Sequence, residues 1–266
     1  MVVLYSLLGL IGVLFLLYLL VFLRPRGRKP KDSRLLCDYA HRGLHGNGVP
    51  ENSLLAFGEA VEKGFGIELD VQLSADGEVM VFHDYTLIRM TGTDEKLKNL
   101  TAKELQALSL AGTEQKIPTF REVLELVDGR VPLLVELKGE DFNSALCPKV
   151  AELLQDYQGP YCVESFNPLL VKNIKKYLPD VYCGQLYTNV CRDKKKYSPL
   201  NLILSAMAFN FLAKPDFIAY NLKDRKAFPV LVATKLYKAP RFVWTVKTKE
   251  ELDLCHSLGE HPIFEE

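Results

Sequence analysis

Short apolar runs recur along this chain with helical patterns between them, and no other feature constrains the fold as tightly. Runs at residues 35–40, 66–71, 132–137, 161–164, 181–186, 216–220, 242–246 and 262–265 have the length of strands. Candidate helices at 53–63, 119–127, 168–177 and 249–258 fall between them. Alternation of this kind predicts an α/β fold with a parallel sheet. One barrel domain commonly takes about 250 residues. The chain has 266, so a single (β/α)8 TIM-type barrel is the economical reading. No helical pattern follows the eighth run, which leaves the covering of that edge open.

A ninth apolar run, residues 79–83, is separated from the second strand only by Ser74-Ala75-Asp76-Gly77. Parallel strands need a crossover of about a dozen residues, so this turn predicts an antiparallel hairpin. It would return His83 to the level of Asp70, at the C-terminal strand ends where barrels place their catalytic groups. Residues 84–117 then read as a small insertion over the mouth, with one helix near 101–108.

Ahead of the barrel, residues 2–23 carry no charge. About 20 apolar helical residues span a bilayer's hydrocarbon core. A cleaved signal peptide would want a basic start and a small-residue cleavage site, and the run begins Met-Val-Val and ends Val21-Phe22-Leu23. Residues 1–23 are therefore expected to form a transmembrane anchor, 24–34 a basic linker broken by Pro25 and Pro30, and 35–266 the barrel. Arg24, Arg26, Arg28, Lys29, Lys31 and Arg34 follow the run, and no basic side chain precedes it. The positive-inside rule then predicts a single-pass membrane protein with its barrel in the cytoplasm. The same cluster can attract anionic lipid headgroups.

Chemistry concentrates at predicted strand ends. His41-Arg42 follows the first strand. Glu68 and Asp70 are two apart on the second, and so share a face. Glu136 and Lys138 repeat that spacing on the third. Three carboxylates on two neighbouring strands describe a hard oxygen site, suited to Mg²⁺ or Ca²⁺. Arg42 and Lys138 add charge for an anionic group. His41 and His83 exchange protons near neutral pH. Any one of these pairs alone is commonplace on a protein surface, but together they suit phosphodiester cleavage.

The order of residues also resembles a family. His41-Arg42-Gly43, Pro50-Glu51-Asn52-Ser53, Ala56-Phe57, Ile67-Glu68-Leu69-Asp70-Val71, Asp76-Gly77 and Val81-Phe82-His83-Asp84 look like the opening of glycerophosphodiester phosphodiesterases. Glu136-Leu137-Lys138, Ser165-Phe166 and Trp244-Thr245-Val246 resemble its later markers. The resemblance implies a divalent metal on Glu68, Asp70 and Glu136, with His41 and His83 as general base and general acid. It implies Arg42 and Lys138 on the phosphate, Glu51 supporting metal or substrate, and Phe166 and Trp244 as pocket walls. Barrel-core packing is an equal reading for those two aromatics. Three positions depart from the pattern: Ser53 for Thr, Lys247 for Asn, and an ending Ile263-Phe264-Glu265-Glu266 in place of Thr-Asp.

A membrane anchor leaves two substrate classes, soluble glycerophosphodiesters and lysophospholipids still in the bilayer. Residues 199–213 bear on that choice, being rich in Leu, Ile and Phe and preceded by Lys194-Lys195-Lys196. The segment is too short to span. It reads first as a helix packed on the barrel, and second as an interfacial segment that admits lipid. Two rival functions are a catalytically silent membrane-bound binding barrel and a phospholipase-like enzyme that makes cyclic phosphates. Lys plus Arg equals Asp plus Glu at 33 each, so nucleic acid is not an expected partner. Six cysteines without CxxC spacing read as buried reduced thiols.

Overall fold

The computed structural model describes residues 1–139 and 145–265, so Glu266, the last residue assigned to the barrel, lies outside the described residues. Among the described residues nine strands form one sheet: β1 (Tyr39–Ala40), β2 (Gly66–Leu73), β3 (Val79–Val81), β4 (Leu133–Leu137), β5 (Tyr161–Ser165), β6 (Cys183–Tyr187), β7 (Phe217–Asn221), β8 (Arg241–Val246) and β9 (His261–Phe264). Eight of them pair in parallel in the order β1-β9-β8-β7-β6-β5-β4-β2, and β1 pairs back to β2. The parallel barrel is closed, as the alternation predicts, and closure leaves no free edge.

The hairpin is also present. β3 runs antiparallel to the upper half of β2, with Val71 opposite Val81. The amide of Phe82 donates to the Asp70 carbonyl at 2.9 Å, which brings the next residue, His83, to the mouth. Gln72 reinforces the return: its side-chain amide donates to the carbonyls of Phe82, His83 and Asp84 at 2.8, 3.2 and 2.9 Å. Residues 84–117 gather a core of their own, in which Leu87, Leu97, Leu105 and Ile117 pack on Met80 and Phe82.

Each strand buries both faces. Outward residues such as Ile67, Leu69, Val71 and Val135 meet the surrounding helices. Inward residues at the base, including Tyr39, Leu134, Cys162, Phe217, Phe242 and Ile263, fill the barrel floor with apolar atoms. Two residues further along β4 and β5, the inward positions become Glu136 and Glu164. The barrel is thus dry below and charged above.

Helices start where the sequence offers caps. Ser53 accepts from the Ala56 amide at 3.1 Å at the head of Leu54–Lys63, so Ser performs the capping that Thr also performs. Thr119 and Thr248 form capping boxes with Glu122 and Glu251.

Three local expectations change. Strand β1 is short because Ser33–Leu35 turns instead, capped by Asp32, and drops Leu35 into the barrel floor. A helix at Leu146–Asp156 is not among the candidate helices; its Pro148 stands in the first turn, where proline is tolerated. The single segment at 199–213 is two helices, Pro199–Ser205 and Asn210–Ala213, interrupted at Met207 with φ +50°. The edge left open is covered by Phe65, whose ring meets Phe264 edge-on at 5.0 Å, and by the helix Lys249–Ser257.

The apolar N-terminus is a helix, Val2–Leu17, continued through a wider turn at Tyr18–Phe22. Residues 24–34 lie against the barrel base. The Arg26 amide donates to the Pro215 carbonyl at 2.8 Å, and the Arg28 guanidinium meets buried Asp216 at 2.9 Å.

Candidate active site

The C-terminal ends of the strands bring most of the sequence-predicted residues into one pocket. His41, Arg42, Glu68, His83, Glu136, Lys138, Phe166 and Trp244 line a cavity of about 90 Å³, together with Glu164 and Leu186. Asp70 stands opposite Glu136 across the β2–β4 ladder, and Glu136 stands opposite Glu164 across β4–β5. Three inward acids therefore form one row, with Glu68 a step below.

Glu68, Asp70 and Glu136 are buried, and one oxygen from each lies within 4.8 Å of the others. Like charges this close strain the ionised state. Burial, then Asp70 and Glu136, push the Glu68 carboxyl well above its ordinary range. Burial pushes Glu136 up to about 7, against the pull of Lys138. Asp70 goes the other way: burial opposes it, but Lys138, His83 and Arg42 outweigh burial and hold it well below the carboxylate range. An all-oxygen set of this kind fits a hard divalent cation. The fit is strengthened by Glu164, whose Oε2 is buried without a hydrogen-bond partner. Burial and Glu136 raise the Glu164 carboxyl as well.

Protein cations now balance part of this charge. Lys138 Nζ sits 3.0 Å from Asp70 and 2.9 Å from Glu136. The Arg42 amide donates to Glu68 at 3.0 Å, and its guanidinium reaches Glu51 at 2.8 Å. Arg42 takes φ +56° and Gly43 φ +79° to turn the chain here. A Cβ on Gly43 would meet the Ala56 backbone at 2.8 Å, so only glycine fits. Asn52 donates to Asp70 at 2.9 Å, which explains the Pro50-Glu51-Asn52-Ser53 run as one cap and one carboxylate holder.

Each histidine has a carboxylate behind it. His41 Nδ1 lies 2.7 Å from Glu265, with Nε2 turned toward Glu68 at 3.9 Å. His83 Nδ1 lies 2.6 Å from Asp84. Burial lowers the His83 pKa, so the ring favours its neutral form. Arg89 ties Asp84 to Glu51, which places Glu51 at the rim as a bridge between Arg42 and Arg89. Phe166 and Trp244 meet edge-to-face at 5.5 Å and wall the pocket.

Sequence reasoning gave no role in the site to Glu164, Glu265, Asn52 or His45. One atom each of His41, His45 and Glu265 lies within 4.8 Å of the others. Glu164 carried a signal: it stands two residues beyond inward Cys162 on a strand that adjoins β4.

Beyond the pocket a groove of about 720 Å³ runs from His83 and Lys138 past Phe166 to Leu200, Leu204 and Phe209. Its walls are mostly apolar.

A closed parallel barrel with acids, cations and paired histidines at one mouth defines a phosphoric diester hydrolase of the TIM-barrel class. Residues 41–265 match the model of the glycerophosphoryl diester phosphodiesterase family, and the chain belongs to that family. A glycerophosphodiester phosphodiesterase of Caldanaerobacter subterraneus subsp. tengcongensis is 36% identical over 233 residues, covering 83% of this chain and 89% of that one. A lysophospholipase D of Rattus norvegicus is 32% identical over 142 residues, covering 48% and 44%. Among solved structures, a Thermotoga maritima glycerophosphodiester phosphodiesterase superposes with TM-score 0.66 at 27% identity, covering 86% and 94%. An Oleispira antarctica phosphodiesterase shares the fold with TM-score 0.70 at 23% identity, covering 86% and 92%.

Proposed function

We propose that this enzyme hydrolyses glycerophosphodiesters in a metal-dependent reaction, with His41 and His83 as its proton-transfer pair. One observation carries the reading: two histidines, each with a carboxylate at Nδ1, enter the pocket that holds three clustered acids. Glu68, Asp70 and Glu136 would hold Mg²⁺ or Ca²⁺, which when bound polarises phosphoryl oxygen and favours an ionised nucleophile. Arg42 and Lys138 grip the phosphate as cations. A carboxylate at Nδ1 fixes the tautomer and leaves Nε2 to exchange the proton. One ring takes the proton of the attacking hydroxyl or water, and the other gives a proton to the departing alkoxide. Phe166 and Trp244 exclude water on the β5 and β8 side.

We extend the substrate class to lysophospholipids. The apolar groove that leaves the pocket beside Lys138 supports this, since it offers an acyl chain a wall of Leu200, Leu204 and Phe209. The rat relative's description points the same way for that protein. We further assign residues 1–23 as a single-pass anchor, 24–34 as its basic link, 35–266 as the catalytic unit and 84–117 as an insertion. The barrel then faces the cytoplasm, by the basic flank.

The test uses the full chain in detergent, with a panel of glycerophosphodiesters and lysophospholipids. EDTA should stop release of the alcohol, and Mg²⁺ or Ca²⁺ should restore it. His41→Ala and His83→Ala should each lower kcat by about 10²–10⁴. Turnover unaffected by EDTA, or retained in either variant, would refute the mechanism. A cyclic phosphate product would favour the phospholipase-like alternative.

A further inference from the structure

The N-terminal helix does not leave the barrel at random. The connection from β6 to β7 begins at the mouth and descends to the base, where Pro215 and Asp216 precede β7. The connection from β7 to β8 descends likewise, from Phe228 to Tyr237. The N-terminal segment touches both in reverse order. Arg26 and Arg28 meet Pro215 and Asp216 at the base. Above them, Asn210 donates to the Leu23 carbonyl at 2.9 Å, and Tyr18 donates to the Ala206 carbonyl at 2.8 Å. On the second connection Tyr237 donates to the Leu19 carbonyl at 2.8 Å, while Phe15 stacks on Phe228 at 6.1 Å. The helix therefore climbs the barrel wall from base to mouth and projects past the mouth.

Length then sets a constraint. Only residues 2–14 lie beyond these contacts, which is about 20 Å at the helical rise. A bilayer's hydrocarbon core is roughly 30 Å thick. Seating the barrel wall around Phe15–Phe22 in the near leaflet supplies the missing 10 Å or so. That wall is dressed for it. In the helix Pro199–Ser205 the polar Asn201 is buried and bonded to the Lys196 carbonyl, while Leu200, Leu202 and Ile203 stand 56%, 52% and 41% exposed. Across the helix, Phe228 and Leu236 are 50% and 60% exposed. This is the reverse of a soluble helix, which turns its apolar side to the core. Lys194, Lys195 and Lys196 precede the first patch and Lys235 lies in the second, which suits anionic headgroups.

We propose that the helices Pro199–Ser205 and Phe228–Leu231 dip into the bilayer beside the N-terminal helix, so that the active-site mouth faces the lipid surface. This rests on the anchor reading above and deepens it. The occupant of the apolar face is lipid acyl chain, at the depth of an interfacial helix, about 5–10 Å. The groove past Leu200 and Leu204 then opens at the membrane surface, where an amphiphilic diester need move only part way out of the leaflet.

The test places single tryptophans in the full-length chain, in a Trp244→Phe background. The protein is reconstituted in phosphatidylcholine–phosphatidylglycerol vesicles whose acyl chains carry bromine, a short-range quencher. Leu202→Trp and Phe228→Trp should lose most of their emission, and Leu8→Trp likewise. Gln158→Trp, exposed at the base, should keep its emission. Ile203→Trp and Leu231→Trp repeat the measurement if either first variant fails to fold. Quenching at Leu8 without quenching at either patch would leave an anchor and overturn the proposal. Quenching nowhere, or equally at Gln158, would overturn it too. Catalysis does not enter this readout, so quenching in these variants together with no turnover by the unsubstituted chain would sink the proposed reaction alone.

Discussion

At the residue scale, the two late departures from the family pattern meet each other. Lys247 Nζ lies 2.7 Å from Glu265, and Glu265 holds His41. The hydrogen bond from His41, then Lys247, draw the Glu265 carboxyl down to about 2 against the effect of burial. A depressed carboxylate contributes stability above its unfolded pKa and loses it as pH falls through the folded one. Glu265→Gln should therefore be less stable than the parent at pH 7, with the gap closing between about pH 4.5 and 2. Urea denaturation across that range checks it; a gap independent of pH would mean the carboxylate's charge is idle. Gly43→Ala is the second expectation. A positive φ and a backbone contact should together cost about 2–4 kcal/mol in the same assay. His41, Arg42, Glu68, Asp70, His83 and Glu136 were legible because each sits in a short run whose spacing fixes its face. Glu265 was not, since its partner lies 224 positions away and only barrel closure joins them. Glu164 was missed because its signal, an inward place beside Glu136, can be read only once β4 and β5 are paired in register.

At the element scale, the hairpin is the part most completely written in the chain. The five residues 74–78 between β2 and β3 allow no parallel crossover, so the antiparallel return follows from geometry alone. The device that fixes its register was not legible. Gln72 lies in a strand like any other polar residue, and its three carbonyl acceptors appear only once β3 has folded back. Gln72→Glu keeps the shape but aims a carboxylate at those carbonyls. Removing the donor should cost about 1–3 kcal/mol. It should also lower kcat more than tenfold, as His83 loses its position, which is worth roughly 1.4 kcal/mol in the barrier. Steady-state kinetics with the metal-induced melting shift as control tests this, because Glu68, Asp70 and Glu136 are left in place. Unchanged kcat would mean Asp84 and Arg89 hold His83 without help. The first strand was drawn too long for a related reason: a capping Asp32 overrides the apolar pattern at one end of the run.

At the scale of the whole molecule, the barrel separates an apolar floor from a mouth with four buried acids, Glu68, Asp70, Glu136 and Glu164. Among the described residues, Arg42 and Lys138 are the Lys and Arg side chains lining that pocket. Ionising all four acids in a low-dielectric space costs stability, so burial and mutual repulsion raise Glu68, Glu136 and Glu164 until a further cation arrives. A divalent ion that binds the folded state alone at a hundredfold excess over its Kd adds about 2.7 kcal/mol. For a chain of this size each kcal/mol moves Tm by roughly 2–4 °C. Mg²⁺ or Ca²⁺ should then raise Tm by about 5–10 °C over the protein in EDTA, read by scanning fluorimetry. Asp70→Asn should remove most of that shift, since it takes out the best-ionised member of the cluster. His41→Ala should keep it while losing turnover, because the imidazole is no ligand of the carboxylate set. The reverse pattern, a shift that survives Asp70→Asn and vanishes in His41→Ala, would move the ion to the His41, His45 and Glu265 group. In that case the row of acids across β2, β4 and β5 would be left to Lys138 alone, and the roles given to His41 would have to be withdrawn.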